Sequence, residues 1–520
     1  MVRRNRILPL NPMAVSQQDS SATPLPRPHS GRRKVLFVTS EFEDFVKVGG
    51  LGEVSSALPR ALRRWCDVRV LLPGYRQVMA QGKVDVVGRC EPSADLPPCD
   101  LGKLQTPDGL VVYILICPEL YDREGGPYGD LGNRDWSDND VRFARLGLAA
   151  AELAAGRGDP DWSADMLHVN DWPSALAPAY LAWRGDNIPS ILTIHNLAYQ
   201  GLFPRDRLAR IGAPESAYRI DGLEFYDHVS FLKAGIFYAT HVTTVSETYA
   251  QEITHPEFGC GLDGLLRTRA NQNRLTGILN GIDESWDPRR CPHISTPFEA
   301  GDWKGKRANA DNIRKEFGLA VSRGPLFGLV ARLVHQKGID LVISVAESIV
   351  SAGGQIVVLG KGEDYLEASM QGVASRFSDS VGVRIGFDEV TSRKIFAGSD
   401  FVLMPSRFEP CGLSQMYAQR FGSLPICHKT GGLAETIQDG KTGFLFRRAS
   451  MEGLMGAVCR AFSTFTSKRK LNTMRLHAMA RRFDWQVPAT SYDSLYQRVI
   501  GNRRRVVPFA DENLVPGLSS

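Results

Sequence analysis

Short apolar runs, each nearly continuous and each closed by small polar residues, recur along this chain at roughly helix-length intervals. KVLFVTS (34–40), VRVLLP (68–73), VVYILIC (111–117), MLHVND (166–171), SILTIHN (190–196) and HVTTVS (241–246) form a first series. Runs this short, without the alternation of a half-exposed strand, read as parallel strands buried on both faces. A helical pattern beginning near Gly52 and running through LPRALRR follows the first of them, and helical or loop spacing separates most of the others. Strand and helix in alternation predict an α/β fold with parallel sheets.

The rhythm pauses after LTGILNGID (275–283) in the polar stretch ESWDPRRCPHISTPFEAGDWKG. It restarts at LFGLVAR (326–332) and continues through QIVVLG (355–360), VGVRIGF (381–387), DFVLMPS (400–406), SLPICHK (423–429) and TGFLF (442–446). A chain of 520 residues exceeds the roughly 250 to 300 at which one core stops growing. We therefore expect two tandem doubly wound Rossmann-like domains, residues 34–278 and 279–495, with an interdomain cleft between the carboxyl ends of their sheets. Residues 1–33 read as a basic tail, and residues 496–520 as a C-terminal tail that either packs back on the first domain or hangs free.

Composition narrows the class. An apolar fraction of 43%, a charged fraction of 23% and fifty glycines suit a globular enzyme rather than a fibrous or disordered chain. A net charge of +5, with mixed signs along the chain, falls short of a nucleic-acid footprint. The nine cysteines are odd in number, scattered and without a CxxC pair, so they suggest neither a disulfide framework nor a zinc site, and favour a reducing compartment. No run reaches the roughly 18 to 20 apolar residues of a membrane helix. Residues 1–33, rich in Arg, Ser and Pro with Asp19 as their single acid, are either a plain tail or a transit peptide. The expected location is cytoplasmic, or the plastid stroma if that segment is cleaved.

Chemistry concentrates where strands end. In KVGGLGEV (47–54), glycines between a strand and a helix let backbone N–H groups approach a ligand, so Lys47 and Gly50 mark either an anion cradle or merely a tight turn. Arg332 and Lys337 in ARLVHQKG follow another strand and could converge on a diphosphate, or be two solvated cations. Glu409, pinned between Phe408 and Pro410, could accept from sugar hydroxyls or cap a helix. Thr430, Gly431 and Gly432 open a further strand–turn–helix segment able to donate N–H groups to phosphate. Three such turns plus a fixed carboxylate suit a nucleotide-activated sugar in the cleft.

KVGGLGEV, LYDREGGPYG with RFARL, HVNDW, TIHNLAYQG, TVSETYAQEI, GILNGID, ARLVHQKGID, PSRFEPCGLSQMYA and TGGLAETI occur in this order. Together they resemble the bacterial glycogen synthase and plant starch synthase family, retaining glucosyltransferases of GT-B fold that use mainly ADP-glucose, over roughly residues 34–500. The resemblance implies that Lys47 and Gly50 contact the donor's phosphates. It makes Arg332 and Lys337 the cations that offset charge on departing ADP, and Glu409 the residue that binds glucose hydroxyls, with Cys411, Gly412, Thr430, Gly431 and Gly432 lining the donor site. By the same resemblance His195 lies near the sugar's 6-hydroxyl, Asp171 and Tyr121 line the glucose and acceptor side, and Phe387 stacks on adenine where the family usually has tyrosine. Bland readings stand beside these: a core histidine for His195, a helix cap for Asp171, a packing role for Tyr121. Two departures are noted, Glu53 where the family often has aspartate and Pro173 after Trp172.

The implied reaction moves glucose from ADP-glucose to the nonreducing 4-hydroxyl of an α-1,4-glucan such as glycogen, with retention and without metal or other cofactor. Related transferases carry a second glutamate at the spacing where Tyr417 stands, so no partner carboxylate for double displacement is evident. The expected partners are ADP-glucose and the glucan, with no nucleic acid and no membrane. The alternatives are the same fold using UDP-glucose or another acceptor, and a non-catalytic glycan-binding protein.

Overall fold

The computed structural model describes residues 31–132 and 134–503. The strands of the first half are β1 (Arg33–Val38), β2 (Cys66–Pro73), β3 (Asp85–Cys90), β4 (Cys99–Gln105), β5 (Val111–Ile116), β6 (Met166–Asn170), β7 (Ser190–Ile194), β8 (Leu202–Pro204), β9 (Glu224–Phe225), β10 (His228–Ser230), β11 (His241–Thr244) and β12 (Leu275–Gly277). Nine of them form one sheet in the order β12-β11-β7-β6-β1-β2-β5-β4-β3, and β8-β10-β9 form a small separate one. Every pairing from β12 across to β5 is parallel, while β4 and β3 add an antiparallel edge.

The second half supplies β13 (Leu326–Val330), β14 (Gln355–Gly360), β15 (Val381–Ile385), β16 (Phe401–Met404), β17 (Leu424–His428) and β18 (Phe444–Phe446). Their all-parallel sheet runs β15-β14-β13-β16-β17-β18. Counted in chain order, its strands read 3-2-1-4-5-6, and the parallel strands of the first sheet begin with the same order. This is the doubly wound Rossmann arrangement, in which the order reverses between the first and fourth strands and opens a crevice there. In the first sheet that switch point lies between β1 and β6, and in the second between β13 and β16.

The expected strands are present because their runs are buried on both faces. All five residues of β6 and of β7, and all six of β14, are buried. Each Val, Leu or Ile so enclosed is worth about 1.5–3 kcal/mol relative to exposure. The hairpin β3–β4 escaped sequence reading because it alternates: Asp85, Arg89, Asp100 and Lys103 interrupt its apolar positions, as befits an edge with one wet face.

The last helix corrects the expected C-terminal boundary. Residues Gln486–Arg503 form one continuous helix, whose Ala489, Tyr492, Leu495, Tyr496 and Val499 enter the core of the first domain. Tyr496 Oη lies 2.7 Å from His168 Nδ1, and Asp493 pairs with Arg33. The chain therefore returns to the first domain earlier than residue 496, since a helix presenting apolar side chains on the side that meets that sheet cannot be divided partway along. The readings of residues 1–30 and 504–520 fall outside the described residues.

Candidate active site at the paired switch points

Loops leaving β1, β6, β7 and β11 in one sheet and β13, β16 and β17 in the other carry nearly all of the chemistry-bearing residues. They touch directly. Ser246 Oγ donates to the Pro410 carbonyl at 2.6 Å, and Thr248 N–H to Glu435 Oε1 at 2.5 Å. Arg332 Nη1 donates to Tyr199 Oη at 2.8 Å, and Gly50 lies against Leu413.

After β1 the loop folds around Glu41, which is 3% exposed. Its Oε2 accepts from the N–H groups of Val48 (2.8 Å) and Gly49 (2.9 Å), and its Oε1 from Tyr128 Oη (2.7 Å). Two donors of the KVGG turn thus already hold an anion, one built into the protein. Lys47 projects from the same turn into three carboxylates: Glu53 at 2.6 Å, Glu43 at 2.7 Å, and Glu389 of the second domain at 3.7 Å. Burial works against its ammonium, but Glu53 and Glu43 outweigh that and raise its pKa. Glu53 also accepts from Tyr417 Oη, and Tyr417 stacks on Trp286 with ring centroids 3.6 Å apart.

At the end of β6, Asp171 adopts a positive φ of 52°. Its Oδ1 accepts from the N–H groups of His195 (2.7 Å) and Asn196 (3.4 Å). Burial, only partly offset by these two bonds, raises its pKa to about 7. Asp171 therefore shapes the loop that presents His195. His195 Nε2 lies 3.0 Å from Asn170 Oδ1, while Asn170 Nδ2 donates to the Val38 carbonyl at 3.0 Å. With the amide oriented by Val38, the imidazole carries its proton on Nε2 and keeps Nδ1 as an acceptor. Burial lowers the His195 pKa to about 3, so the ring is neutral across ordinary pH.

In the second domain the short turn His335–Lys337 ends at Gly338, with φ of 66°. A Cβ there would approach the Pro405 carbonyl to 2.3 Å, so only glycine lets this turn close on the loop after β16. Arg407 reinforces the junction, reaching the His335 carbonyl at 2.8 Å and both oxygens of Asp340 at 2.8 and 2.7 Å. The result places Lys337 Nζ 2.8 and 2.6 Å from the two oxygens of Glu409. Glu409 is 5% exposed and also accepts from Ser406 Oγ at 2.9 Å. Arg332 is exposed on the same side.

The Thr430–Gly432 turn departs from the expectation of free phosphate donors. Thr430 Oγ1 (2.9 Å) and Gly431 N–H (3.0 Å) both donate to Glu252 Oε1 of the first domain, and Gly432 N–H is shared between the Glu409 and Pro410 carbonyls at 3.2 Å. Gly431, with φ of 42°, lies so near that a Cβ would approach the Glu409 carbonyl to 2.0 Å. Gly412 and Cys411 adjoin this junction. Burial pushes the Cys411 thiol up to about 12 and keeps it neutral.

Tyr121 is not brought to the cleft chemistry: it is 1% exposed, donates its hydroxyl to the Arg142 carbonyl at 2.6 Å and packs edge-on against Tyr75. It is a core residue, because the short helix Pro118–Tyr121 turns it inward beneath the helix Asn139–Ala154. Phe387 is 73% exposed just after β15, two positions before the Glu389 that reaches Lys47 of the first domain. Sequence reasoning also missed Glu41, Asn170, Tyr199 and Glu252, although Tyr199 lies in TIHNLAYQG, Glu252 in TVSETYAQEI and Asn170 in HVNDW.

Cations from both domains, a buried carboxylate bonded to one of them and a neutral histidine acceptor can together orient a sugar and stabilise a departing anion. Residues 34–268 match the family model described as the starch synthase catalytic domain, and residues 311–471 that of glycosyl transferases group 1. Glycogen synthase 1 of Bradyrhizobium diazoefficiens is 65% identical over 458 residues, spanning 88% of this chain and 99% of that protein. The chain belongs to the glycogen and starch synthase family. Another member, the glycogen synthase of Pseudomonas fluorescens Pf-5, is 55% identical over 93% of this chain and 92% of its own length. Among solved structures, the catalytic domain of starch synthase IV from Arabidopsis thaliana, bound to ADP and acarbose, is 32% identical. It superposes with a TM-score of 0.80 over 91% of this chain and 100% of that one. The architecture is GT-B, and the family is one of glycosyltransferases.

Proposed function

We propose that this chain transfers glucose from ADP-glucose to the nonreducing 4-hydroxyl of an α-1,4-glucan such as glycogen, with retention, releasing ADP. The observation that carries the reading is that the part-buried Lys337–Glu409 pair lies at the switch point of the second sheet, while Arg332 bonds Tyr199 and Lys47 pairs with Glu389 across the two domains. The solved relative bound to ADP and acarbose supports the choice of adenine nucleotide and α-glucan.

Retention requires either two displacements through a carboxylate or one attack on the face the leaving group departs from. Glu409 is bonded to Lys337 and Ser406, Asp171 to two backbone N–H groups, and Tyr417 offers a phenol already given to Glu53. These engagements favour front-face attack. The acceptor's 4-oxygen bonds to the sugar's anomeric carbon as the bond to the β-phosphate oxygen breaks, and that phosphate oxygen takes the acceptor's proton. Arg332 and Lys337 neutralise the charge that develops on ADP, Glu409 orients sugar hydroxyls, and neutral His195 acts as a hydrogen-bond partner rather than an acid.

Purified protein, assayed side by side with ADP-glucose and UDP-glucose on glycogen, tests the donor; anomeric proton NMR of the product tests retention. Faster turnover with UDP-glucose would reassign the donor. No transfer from either nucleotide would leave a glycan-binding role. A glucosyl group trapped on Glu409 or Asp171 in intact-mass spectra would overturn the front-face mechanism.

A further inference from the structure

Two of the nine cysteines face each other across the edge hairpin of the first sheet, and a third lies just past the end of the neighbouring strand. Cys90 ends β3 and Cys99 opens β4, and the two are direct partners in the antiparallel register. The β4–β5 register ends where Asp100 pairs with Ile116, which leaves Cys117 just past the end of β5. Directly opposed residues of an antiparallel pair have Cα atoms about 4.5–5.5 Å apart and point to the same face. A disulfide needs roughly 4.4–6.8 Å. The buried cysteines elsewhere, such as Cys291 and Cys427, have no such neighbour in register.

The pair has a cation beneath it. Arg145, wholly buried, donates through Nη1 to the carbonyls of Glu91 (2.9 Å) and Pro97 (3.3 Å), both in the loop joining Cys90 to Cys99. Its Nη2 reaches Glu152 at 3.1 Å, while its Nε is buried with no hydrogen-bond partner among the described residues. The two thiols interact so that Cys90 is raised and Cys99 lowered, and the Arg145 charge favours the thiolate form of both. Cys117 is directed elsewhere, its Sγ 3.9 Å from the Pro98 carbonyl.

Cys90 and Cys99 are 2% and 4% exposed, yet they lie in the antiparallel edge hairpin of the first sheet. β3 has a neighbour on one side only, its register shifts between Val86 and Gly88, and Val86 and Arg89 are exposed. Local fraying of such an edge needs far less than global unfolding.

We propose that Cys90 and Cys99 are a redox-active pair, with Cys99 attacking and Cys90 resolving, oxidised by a small-molecule disulfide. Cys99 thiolate attacks one sulfur of the disulfide RSSR, forming a mixed disulfide and releasing RS⁻. Cys90 gives its proton to solvent and attacks the Cys99 sulfur, forming the Cys90–Cys99 bond and releasing the second RS⁻. Two protein thiols are oxidised by two electrons and one RSSR is reduced to two RSH. The bridge closes the loop 91–98, which Asp95 ties to Arg210 through a 2.9 Å ion pair, and so clamps that edge to the segment between β8 and β9 of the small sheet.

The test incubates the full-length protein across a range of oxidised-to-reduced glutathione ratios, alkylates the remaining thiols, and maps peptides without reduction. The exposed Cys260 and Cys459 serve as internal references. The expected result is a Cys90–Cys99 bridge formed without denaturant, with Cys117 still alkylated. Cys90→Ser should trap glutathione on Cys99, and Cys117→Ser should leave the bridge intact. Overturning results are a bridge that appears only in denaturant, a Cys90→Ser protein carrying no adduct at Cys99, or glutathione confined to Cys260 and Cys459. Mapping of the unsubstituted protein decides the matter even if a variant fails to fold.

Discussion

Lys337 and Glu409, 72 positions apart in sequence, form a two-oxygen ion pair at the switch point of the second sheet, with Nζ–O distances of 2.8 and 2.6 Å. The pair exists because Gly338 lets the loop after β13 close on the loop after β16.

Removing Lys337 should affect activity and stability separately. Lys337→Ala is expected to lower turnover about 10²- to 10³-fold, the usual loss when one preorganised charge partner of a transition state is deleted. It should also lower the melting temperature, because Glu409 is left buried without its cation. Adding Glu409→Gln should recover part of that stability and none of the activity. ADP release and thermal denaturation measured on both variants check this; equal melting temperatures for the single and double variants would dissolve the coupling.

Gly338 and Gly372 make a matched pair of tests. Gly338→Ala places a Cβ against the Pro405 carbonyl at a φ of 66°, and should destabilise by about 1–3 kcal/mol or more while displacing Lys337. Gly372, exposed in the helix Asp364–Arg376, has nothing within 4 Å of an added Cβ, so Gly372→Ala should be neutral or stabilising by up to about 1 kcal/mol. Urea denaturation of the two variants separates them, and equal effects would refute the steric argument.

Asp171 should imprint a pH dependence on stability. Its folded pKa, about 7, is raised above the ordinary carboxylate range near 4. Its contribution is therefore fully present below that range and is lost as pH rises through about 7. Buried neutral His168 and His195, both lowered to about 3, act in the opposite sense, losing stability as pH falls. The difference between wild type and Asp171→Asn isolates the carboxylate, since asparagine keeps an oxygen for the His195 N–H. Wild type minus variant should fall by a few degrees in Tm between pH 4 and 7, on the order of a few kcal/mol, and level above. A flat difference across that range would contradict the raised pKa.

Asn170 should act through His195. Asn170→Ala frees the imidazole to rotate or change tautomer, and is expected to lower kcat about tenfold or more with little change in the KM for the glucan. A loss confined to stability, with kcat intact, would reduce Asn170 to packing. Nitrogen-15 NMR of the ring reports the tautomer directly.

Glu53 joins Lys47 of its own domain to Tyr417 of the other. Glu53→Asp, one methylene shorter, cannot reach both, and should cost about 1 kcal/mol at this partly exposed site. Tyr417→Phe should cost a similar amount, with the double variant no worse than either single. Thermal denaturation of all three tests it, and additive losses would show that the two residues act independently.

Much of this was legible in the sequence. Buried parallel strands are written as continuous apolar runs, and the loops that follow them carry Lys47, Asp171, His195, Arg332, Lys337 and Glu409 at strand ends. Those signals are local, so one sequence suffices to find them. The edge hairpin β3–β4 was not legible, because a half-exposed strand with charged residues resembles a loop. Nor was the inward turn of Tyr121, which depends on a carbonyl 21 positions away.

The sequence by itself determined the fold class, the family and which loops carry the chemistry, since periodicity and motif spacing are properties of neighbouring residues. Only the tertiary structure decided who partners whom: that Glu41 and Glu252 fill the N–H cradles of the two glycine turns, that Glu409 is bonded to Lys337, and that Cys90 and Cys99 face each other across a hairpin. Such partnerships join residues far apart in the chain. They are fixed by strand order and register, which no local pattern of residues encodes.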